Sequence, residues 1–532
     1  MFNDELSRRI SRARSNSISD LLRRSAARVP DKTAIVHHGL RQTYAELDET
    51  VNRTANALAA RGVGKGDRIA VFSHNNHAFV VVYFALARLG AASVPVNFML
   101  AAGEVGYVLE HSGAIGLIVE DALLPVAEQA LEDAGLTGTV RVRGMIPADR
   151  PQPQPGWESV ADWMAHGDAS PPDVFIGDDD LTQLIYTSGT ESRPKGAMLT
   201  SRSLIAQYVT CVMDGEMTAE DIEVHSLPLY HCAQLHCFLT PGIYLGATNI
   251  VLPGPDPELI LRTVEAERAT KLFCPPTVWI SLLRHADFAR RDLSSLRKGY
   301  YGASIMPVEV LKEIGDRLPG VRLFNFYGQT EMAPLATVLK PEDQVRKAGS
   351  AGRPALNVET LVVDDDDRPV PPGVVGEIVH RSPHAMLGYW NDPQRTEAAF
   401  AGGWFHSGDL GVMDDEGYLT VVDRKKDMIK TGGENVASRE VEEVLYQHPA
   451  VAEAAVFGMP HPRWIEAVTA AVVLRDEESV SADELVTHCQ KGLARFKVPK
   501  HIVFVEQLPK NASGKLLKRQ LRTEVQPPWP SA

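Results

Sequence analysis

Leu184-Ile-Tyr-Thr-Ser-Gly-Thr-Glu-Ser-Arg-Pro-Lys-Gly-Ala-Met-Leu199 sets a Ser/Gly/Thr-rich loop carrying one lysine between two short apolar runs. Thr187, Ser188, Thr190 and Ser192 supply hydroxyls, Gly189 and Gly196 permit close backbone approach and positive φ, and Lys195 adds a compact cation. Such a loop can wrap a polyphosphate with backbone N–H groups. It is not the P-loop, which needs Gly-x-x-x-x-Gly-Lys-Ser/Thr running into a helix; the residues after Lys195 read as a second strand. By composition alone the stretch also fits an ordinary hairpin turn, so the flanking chain has to decide.

Upstream, Thr43 and Glu46 form a capping box, Leu47, Val51, Ala55 and Leu58 recur at helical spacing, and Gly62 stops that helix before a strand over Arg68 to Phe72. A second unit repeats this, with a helix ending near Gly90 and a strand from Ala92 to Val96. Downstream of the loop, strands are expected around Thr248 to Leu252, Leu272 to Cys274 and Arg322 to Phe326. Repeated βα units predict an α/β fold of helix-covered, mostly parallel sheets. From Ala351 to Val422 short strands with Gly/Pro/Asp turns predict a small β-rich subdomain. Beyond Asp423, a helix capped by Ser438, strands from Val451 and Ala467, a helix ending near Leu493 and a strand from His501 predict a small α+β C-terminal domain. The division expected is a mobile, solvated arm over 1–17, a large N-terminal domain over 18–425 with the β-rich part at 351–422, and a small mobile C-terminal domain over 426–532.

The chain has 532 residues, more than one hydrophobic core usually spans. With 54 Lys and Arg against 68 Asp and Glu, its formal net charge of −14 argues against a general nucleic-acid or membrane-surface binder. Five cysteines with no CxxC suggest neither a disulfide framework nor a zinc ribbon, and point to a reducing, cytoplasmic setting. His231-Cys232 and His236-Cys237 form a pair of His-Cys steps without a second ligand pair at zinc spacing, so they read as core or pocket residues. No apolar run approaches the roughly 18 residues of a spanning helix. The acidic run Asp364 to Asp367 reads as a solvated turn, and a homodimer is the default oligomer.

Further stretches carry chemistry: Tyr300-Tyr-Gly-Ala-Ser304, where backbone can lie against a flat ring; Asn325-Phe-Tyr-Gly-Gln-Thr-Glu331, which ends a strand with a hydroxyl and a carboxylate; Trp404-Phe-His-Ser-Gly-Asp409; Asp423-Arg-Lys-Lys-Asp-Met-Ile-Lys-Thr-Gly-Gly-Glu-Asn435; and Asn511-Ala-Ser-Gly-Lys515. In this order and spacing they resemble the AMP-forming acyl-CoA synthetases of the adenylate-forming superfamily, from about Ile18 to Leu521.

The resemblance implies that a carboxylic acid and MgATP give an acyl-adenylate and pyrophosphate, and that coenzyme A then takes the acyl group as a thioester. It implies Lys515 bridging the carboxylate and α-phosphate, Thr187, Ser188, Gly189, Thr190 and Lys195 holding the β- and γ-phosphates, and Glu331 with Thr190 at Mg²⁺. Thr330 would contact the α-phosphate, and Asp409 and Arg424 the ribose. Gly302, Ala303, Ser304 and Tyr327 would sandwich the adenine, with Gly328 and Gln329 in the same turn. Lys426 would be the hinge, and Lys430, Gly432 and Gly433 would face coenzyme A. Tyr230 and His231 would stand at the carboxylate end of an acyl pocket walled by Phe273, Thr277, Val278, Gly302 and Ala303. Against the family's usual loop, Glu191 replaces a hydroxyl and Ser192 a glycine; Glu191 is expected to face solvent or pair with Arg193. The Met332-Ala-Pro-Leu335 wording suggests a medium- or long-chain fatty acid, with an aryl, bicyclic or sterol-derived acid, or transfer of the adenylate to a carrier protein, as the alternatives.

Overall fold

In the computed structural model, residues 4–147, 154–187, 194–302, 306–425, 427–431, 434–475, 478–510 and 516–529 are described. The loop of the opening stretch joins strands Leu181–Thr187 and Lys195–Thr200 into an antiparallel hairpin, with Thr187 opposite Lys195. That hairpin ends a seven-stranded sheet running from Glu158–Ser159 through Val142–Ile146, Gly116–Glu120, Arg68–Phe72 and Ala92–Val96 to the hairpin. Every pair in it except the hairpin is parallel.

Helix Tyr44–Ala60 starts at the expected box, Thr43 accepting from the Glu46 N–H and Glu46 from the Thr43 N–H. Helix His77–Leu89 begins where the Asn76 side chain accepts from the Phe79 N–H at 2.8 Å and stops at Gly90, φ 67°. Its β-branched run Val80 to Val82 is poor helix material, yet every residue from Ala78 to Leu89 is buried. A helix apolar all round belongs inside a core, where burial of each Val or Leu contributes about 1.5–3 kcal/mol and overrides propensity.

A nine-stranded sheet lies beside the first. Its centre is parallel, in the order Arg322–Gly328, Lys298–Gly302, Lys271–Phe273, Ile222–His225, Thr248–Val251 and Thr33–His37, with antiparallel strands at both ends. In open sheets of this kind ligands bind beyond the carboxyl ends of the strands. The stretches Leu227 to His231, Phe273 to Pro275, Gly302 and Gly328 to Glu331 all lie at those ends.

Strands Glu359–Val363, Gly376–Arg381, Phe405–Met413 and Leu419–Arg424 form the expected β-rich part as one antiparallel sheet. The C-terminal sheet starts with Ile429–Thr431 and contains Glu434–Val436, Val451–His461, Ile465–Leu474 and His501–Phe504. Helices Ser438–Tyr446 and Ala482–Gly492 cover it.

Residues Asp4–Ala13 of the N-terminal arm form a helix, from which Arg12 reaches Asp173 at 2.8 Å. Two local readings are corrected. Ser438 does not cap its helix: Ala437 is the cap, and the Ser438 N–H and hydroxyl both donate to Asp423 at 2.8 Å. Gly196 sits inside a strand without positive φ; its role is packing, since a Cβ there would stand 2.8 Å from Leu184 Cδ1.

Ile465, at the turn after Val451–His461, has φ 68° and is 69% exposed. A β-branched side chain in the left-handed region is strained by about 1–2 kcal/mol, while glycine loses part of that gain through its freer unfolded chain. Ile465→Gly is therefore expected to raise unfolding stability by about 1 kcal/mol in urea titration; a destabilised variant would contradict the strain.

Candidate active site

Glu331 is the best-defined group at the carboxyl ends of the strands. It lies in the short 3₁₀ turn Thr330–Met332 that follows Arg322–Gly328, and is 8% exposed. Its Oε1 accepts from the Tyr389 hydroxyl at 2.9 Å and lies 3.7 Å from Lys195 Nζ. Lys195 in turn donates to the Tyr389 oxygen at 2.5 Å, with its ammonium 4.0 Å from the Tyr389 ring centroid. Burial and the neighbouring carboxylate push the Tyr389 phenol well up, so it remains a protonated donor.

Tyr389 is the residue that sequence reasoning missed. It arrives on the segment Met386 to Trp390, which pairs with the outer edge of Lys195–Thr200: Leu387 N–H donates to the Met198 carbonyl, Met198 N–H to the Gly388 carbonyl and Trp390 N–H to the Gly196 carbonyl, at 2.8–3.0 Å. Met386 N–H also donates to the Glu331 carbonyl at 2.8 Å. The only sequence signal was Gly388-Tyr-Trp390, an aromatic pair after glycine, which by itself is an ordinary turn. The hairpin is further pinned by the Tyr107 hydroxyl, which donates to the Pro194 carbonyl at 3.0 Å.

A second cluster joins Tyr327, Asp409 and Arg424. The Tyr327 hydroxyl donates to Asp409 Oδ2 at 2.8 Å, and Arg424 Nε stands 3.7 Å from Asp409 Oδ1, the two residues being cross-strand partners. Burial, then the Asp409 charge, holds the Tyr327 phenol far above its ordinary value. The neighbouring Gln329 side chain has its amide oxygen and nitrogen both buried without a hydrogen-bond partner among the described residues. Buried polar atoms left unpaired are costly, which fits a site awaiting a polar ligand. Gly302 and Gly328 have no room for a side chain: a Cβ would meet the Phe326 carbonyl oxygen at 2.3 Å and the Pro334 carbonyl oxygen at 1.8 Å.

The third part is a cavity of about 10 Å³ lined by Leu227, Pro228, His231, Gln234, Phe273 and Pro275, among others. Of the expected acyl-pocket residues it therefore contains His231 and Phe273. Tyr230, Thr277, Val278 and Gly302 do not line it; Val278 packs into the apolar cores on either side. Thr330 Oγ1 lies 3.1 Å from Cys232 Sγ, next to His231. Burial pushes the Cys232 thiol up to about 12, so it is a neutral packing group and no nucleophile. His236, the other half of the His-Cys pairing, is spent on Tyr208 and Gln183.

Lys430, on Ile429–Thr431, donates its N–H to Glu466 at 2.7 Å. Ser188, Gly189, Thr190, Glu191 and Ser192 of the loop, and Ala303, Ser304, Lys426, Gly432, Gly433 and Lys515, lie outside the described residues. The described groups fit Mg²⁺: Glu331 is one carboxylate with lone pairs left over, facing a lysine, and Mg²⁺ is commonly held by one or two carboxylates plus substrate phosphates. Among the described residues there is no cluster of three or more His, Cys, Asp or Glu side chains able to hold a metal alone, and no helix is long and apolar enough to cross a membrane.

Comparison with known proteins bears on this arrangement. Residues 22–390 match the model of the AMP-binding enzymes, and residues 440–515 that of the AMP-binding enzyme C-terminal domain. The chain is 38% identical to a feruloyl-CoA synthase of Amycolatopsis sp, over 94% of this chain and 97% of that protein. It is 35% identical to a long-chain-fatty-acid–CoA ligase of Mycobacterium tuberculosis, over 96% and 98%. It also superposes on the crystal structure of an anthranilate CoA ligase in complex with anthranoyl-AMP, with a TM-score of 0.88, 28% identity and coverage of 95% and 96%.

Proposed function

The chain belongs to the AMP-binding enzyme family and is an AMP-forming acid–CoA ligase, and on that premise we propose how its residues divide the work. The carboxylate of the acid attacks the α-phosphate of ATP; the bond to the β-phosphate breaks, pyrophosphate leaves, and an acyl-adenylate remains. The thiol of coenzyme A then attacks the acyl carbon and AMP leaves. The observation that carries this division is the Glu331, Tyr389 and Lys195 triad beside the phosphate hairpin: a fixed anion, a neutral donor and a cation within reach of one polyphosphate.

Lys195, with Thr187, Ser188, Gly189 and Thr190, holds the β- and γ-phosphates, and Thr330 the α-phosphate. Glu331, with Thr190, would hold Mg²⁺, which when bound neutralises phosphate charge as the two anions meet. Tyr389 keeps the Glu331 carboxylate turned toward the phosphates. Asp409, oriented by the Tyr327 hydroxyl, accepts from the ribose, with Arg424 beside it; Gly302, Ala303, Ser304 and Tyr327 flank the adenine, and Gln329 meets it or the ribose through its unpaired amide. His231 stands at the mouth of the acyl cavity. Lys515 bridges the two reacting anions. Rotation about Lys426 then withdraws Lys515 and brings Lys430, Gly432 and Gly433 to the pantetheine arm.

Asp409→Asn keeps the shape and the Tyr327 contact but removes the charge that accepts from the ribose. A hydrogen bond to a charged group contributes about 1.5–3 kcal/mol, so the Michaelis constant for ATP should rise about ten- to a hundredfold with a smaller change in kcat. An unchanged constant would contradict the assignment. The whole proposal is tested by ATP–pyrophosphate exchange across a panel of fatty and aryl acids, followed by addition of coenzyme A and mass spectrometry of the thioester. No exchange with any acid would sink it, and acyl-AMP accumulating without acyl-CoA would favour transfer to a carrier protein instead.

A further inference from the structure

Asn75 holds the loop that carries His231. It follows strand Arg68–Phe72 of the seven-stranded sheet, while Leu227 to His231 follow Ile222–His225 of the nine-stranded sheet, so the contact bridges the carboxyl ends of both. The Asn75 side-chain amide is spent on that loop: Nδ2 donates to the Leu227 carbonyl and Oδ1 accepts from the Leu229 N–H, both at 2.7 Å. Its own segment is tied in turn to the end of Gly116–Glu120, where Glu120 accepts from the Ser73 hydroxyl at 3.0 Å and from the His74 N–H at 2.7 Å.

A buried relay holds Leu227 from its N–H. Asn249 donates through Nδ2 to the carbonyls of Ala34 and Ala247 at 3.1 Å, which leaves its Oδ1 to accept from His225 Nε2 at 2.9 Å. With that tautomer set, His225 Nδ1 accepts from Gln234 Nε2 at 2.8 Å, and Gln234 Oε1 accepts from the Leu227 N–H at 3.2 Å. Asn75, Gln234, His225 and Asn249 are all buried, and burial pushes the His225 imidazole down to about 3, so it stays neutral and the directions stay fixed. Pro228 has no N–H, and its carbonyl accepts from the His231 N–H at 3.1 Å. Both polar groups of the Leu227 backbone are thus taken, and the turn into His231 is closed. His231 Nδ1 accepts from the Ala233 N–H at 3.2 Å, which puts the proton of the neutral ring on Nε2.

We propose that Asn75 is a positioning residue for adenylate formation that acts through His231: its amide, together with the Gln234, His225 and Asn249 relay, fixes where that imidazole stands toward the acid. The position calls for an amide. It must present a donor to one backbone carbonyl and an acceptor to a backbone N–H side by side; a carboxylate lacks the donor, and alanine leaves both backbone groups buried without that partner. Both amide atoms of Asn75 are engaged on backbone, so its effect on the reaction is one of geometry. The inference rests on the proposed place of His231 at the acid.

The test is ATP–pyrophosphate exchange with ferulic, benzoic and dodecanoic acids on the wild type, Asn75→Ala, Asn75→Asp, His231→Ala and the double variant, with circular dichroism to establish that each is folded. Asn75→Ala is expected to lower kcat/KM for the acid by about tenfold to a hundredfold, the cost of a small displacement of a positioned group, while the Michaelis constant for ATP stays within about twofold. Asn75→Asp keeps the volume and should lose as much, for want of a donor to the Leu227 carbonyl; it takes the place of Asn75→Ala, in the double variant too, if the alanine variant fails to fold. The double variant should be no more than about threefold slower than His231→Ala, because the two act through one group. Losses that multiply, as a merely structural role for Asn75 would give, would overturn the inference, and so would a folded Asn75→Asp with wild-type kinetics. His231→Ala with wild-type kinetics would instead defeat the place given to His231, and no exchange with any acid would defeat the ligase reading itself, so the failures are distinguishable.

Discussion

Lys515→Ala is expected to lower acyl-adenylate formation by about a thousandfold, the scale of losing one donor aimed at charge that develops in the transition state, while leaving thioester formation from supplied acyl-AMP unchanged. The asymmetry follows from the chemistry. Two anions meet only in the first half-reaction, so a bridging cation lowers that barrier and has no comparable work when a thiol attacks an already activated carbonyl. Lys515 follows Asn511-Ala-Ser-Gly, and the chain on either side of these residues is pinned: Lys510 pairs with Leu516, Leu517 N–H donates to the Pro509 carbonyl at 2.9 Å, and Leu508 and Leu521 are buried in one small core that Leu516 packs against. Single-turnover assays of each half-reaction separate the outcomes, and an equal loss in both would refute the assignment.

What the sequence made legible was local. The Thr43 and Glu46 box, the glycine stop at Gly90 and the strands Arg68–Phe72 and Ala92–Val96 are written in neighbouring residues, and the structure has them at those positions. Asp409 and Arg424 face each other across two strands of the β-rich sheet. Residues whose partners lie far along the chain were read poorly. Tyr389 gains its meaning only from Lys195, 194 positions earlier. Ser438 looks like a cap because serine usually is one, but its hydroxyl is taken by Asp423 from the preceding sheet.

Side-chain hydrogen bonds also tie the β-rich sheet to the first helix of the C-terminal domain. Asp423, last but one in Leu419–Arg424, accepts two bonds from Ser438; Lys518 donates to the Ser438 hydroxyl at 2.5 Å and pairs with Glu442 at 2.9 Å. Arg439 donates to the carbonyls of Val421 and Gly349. These bonds join the β-rich sheet and the nearby turn to the C-terminal helix across residues 425–428, around the proposed hinge. The rotation proposed about Lys426 would have to exchange them for others, and its energy would then include their loss.

Glu331→Gln is the sharpest test of the phosphate side. The substitution keeps the size of the side chain and an oxygen that can accept from Tyr389, but removes the charge, so the fold should be retained while adenylation falls by about a hundredfold or more. The magnesium concentration giving half-maximal rate should rise at the same time, because the only protein carboxylate in the described triad has gone. Tyr389→Phe separates holding from ligating: it leaves the charge, removes the 2.9 Å bond that orients it, and should cost about tenfold in rate with little change in magnesium dependence. If the two act through one carboxylate, the double variant should be no slower than Glu331→Gln by more than about threefold, well short of the product of the two single losses. Independent, multiplying effects would mean that Tyr389 works on the lysine or the phosphates directly. A Glu331→Gln enzyme with wild-type rate at unchanged magnesium would remove Glu331 from the reaction altogether.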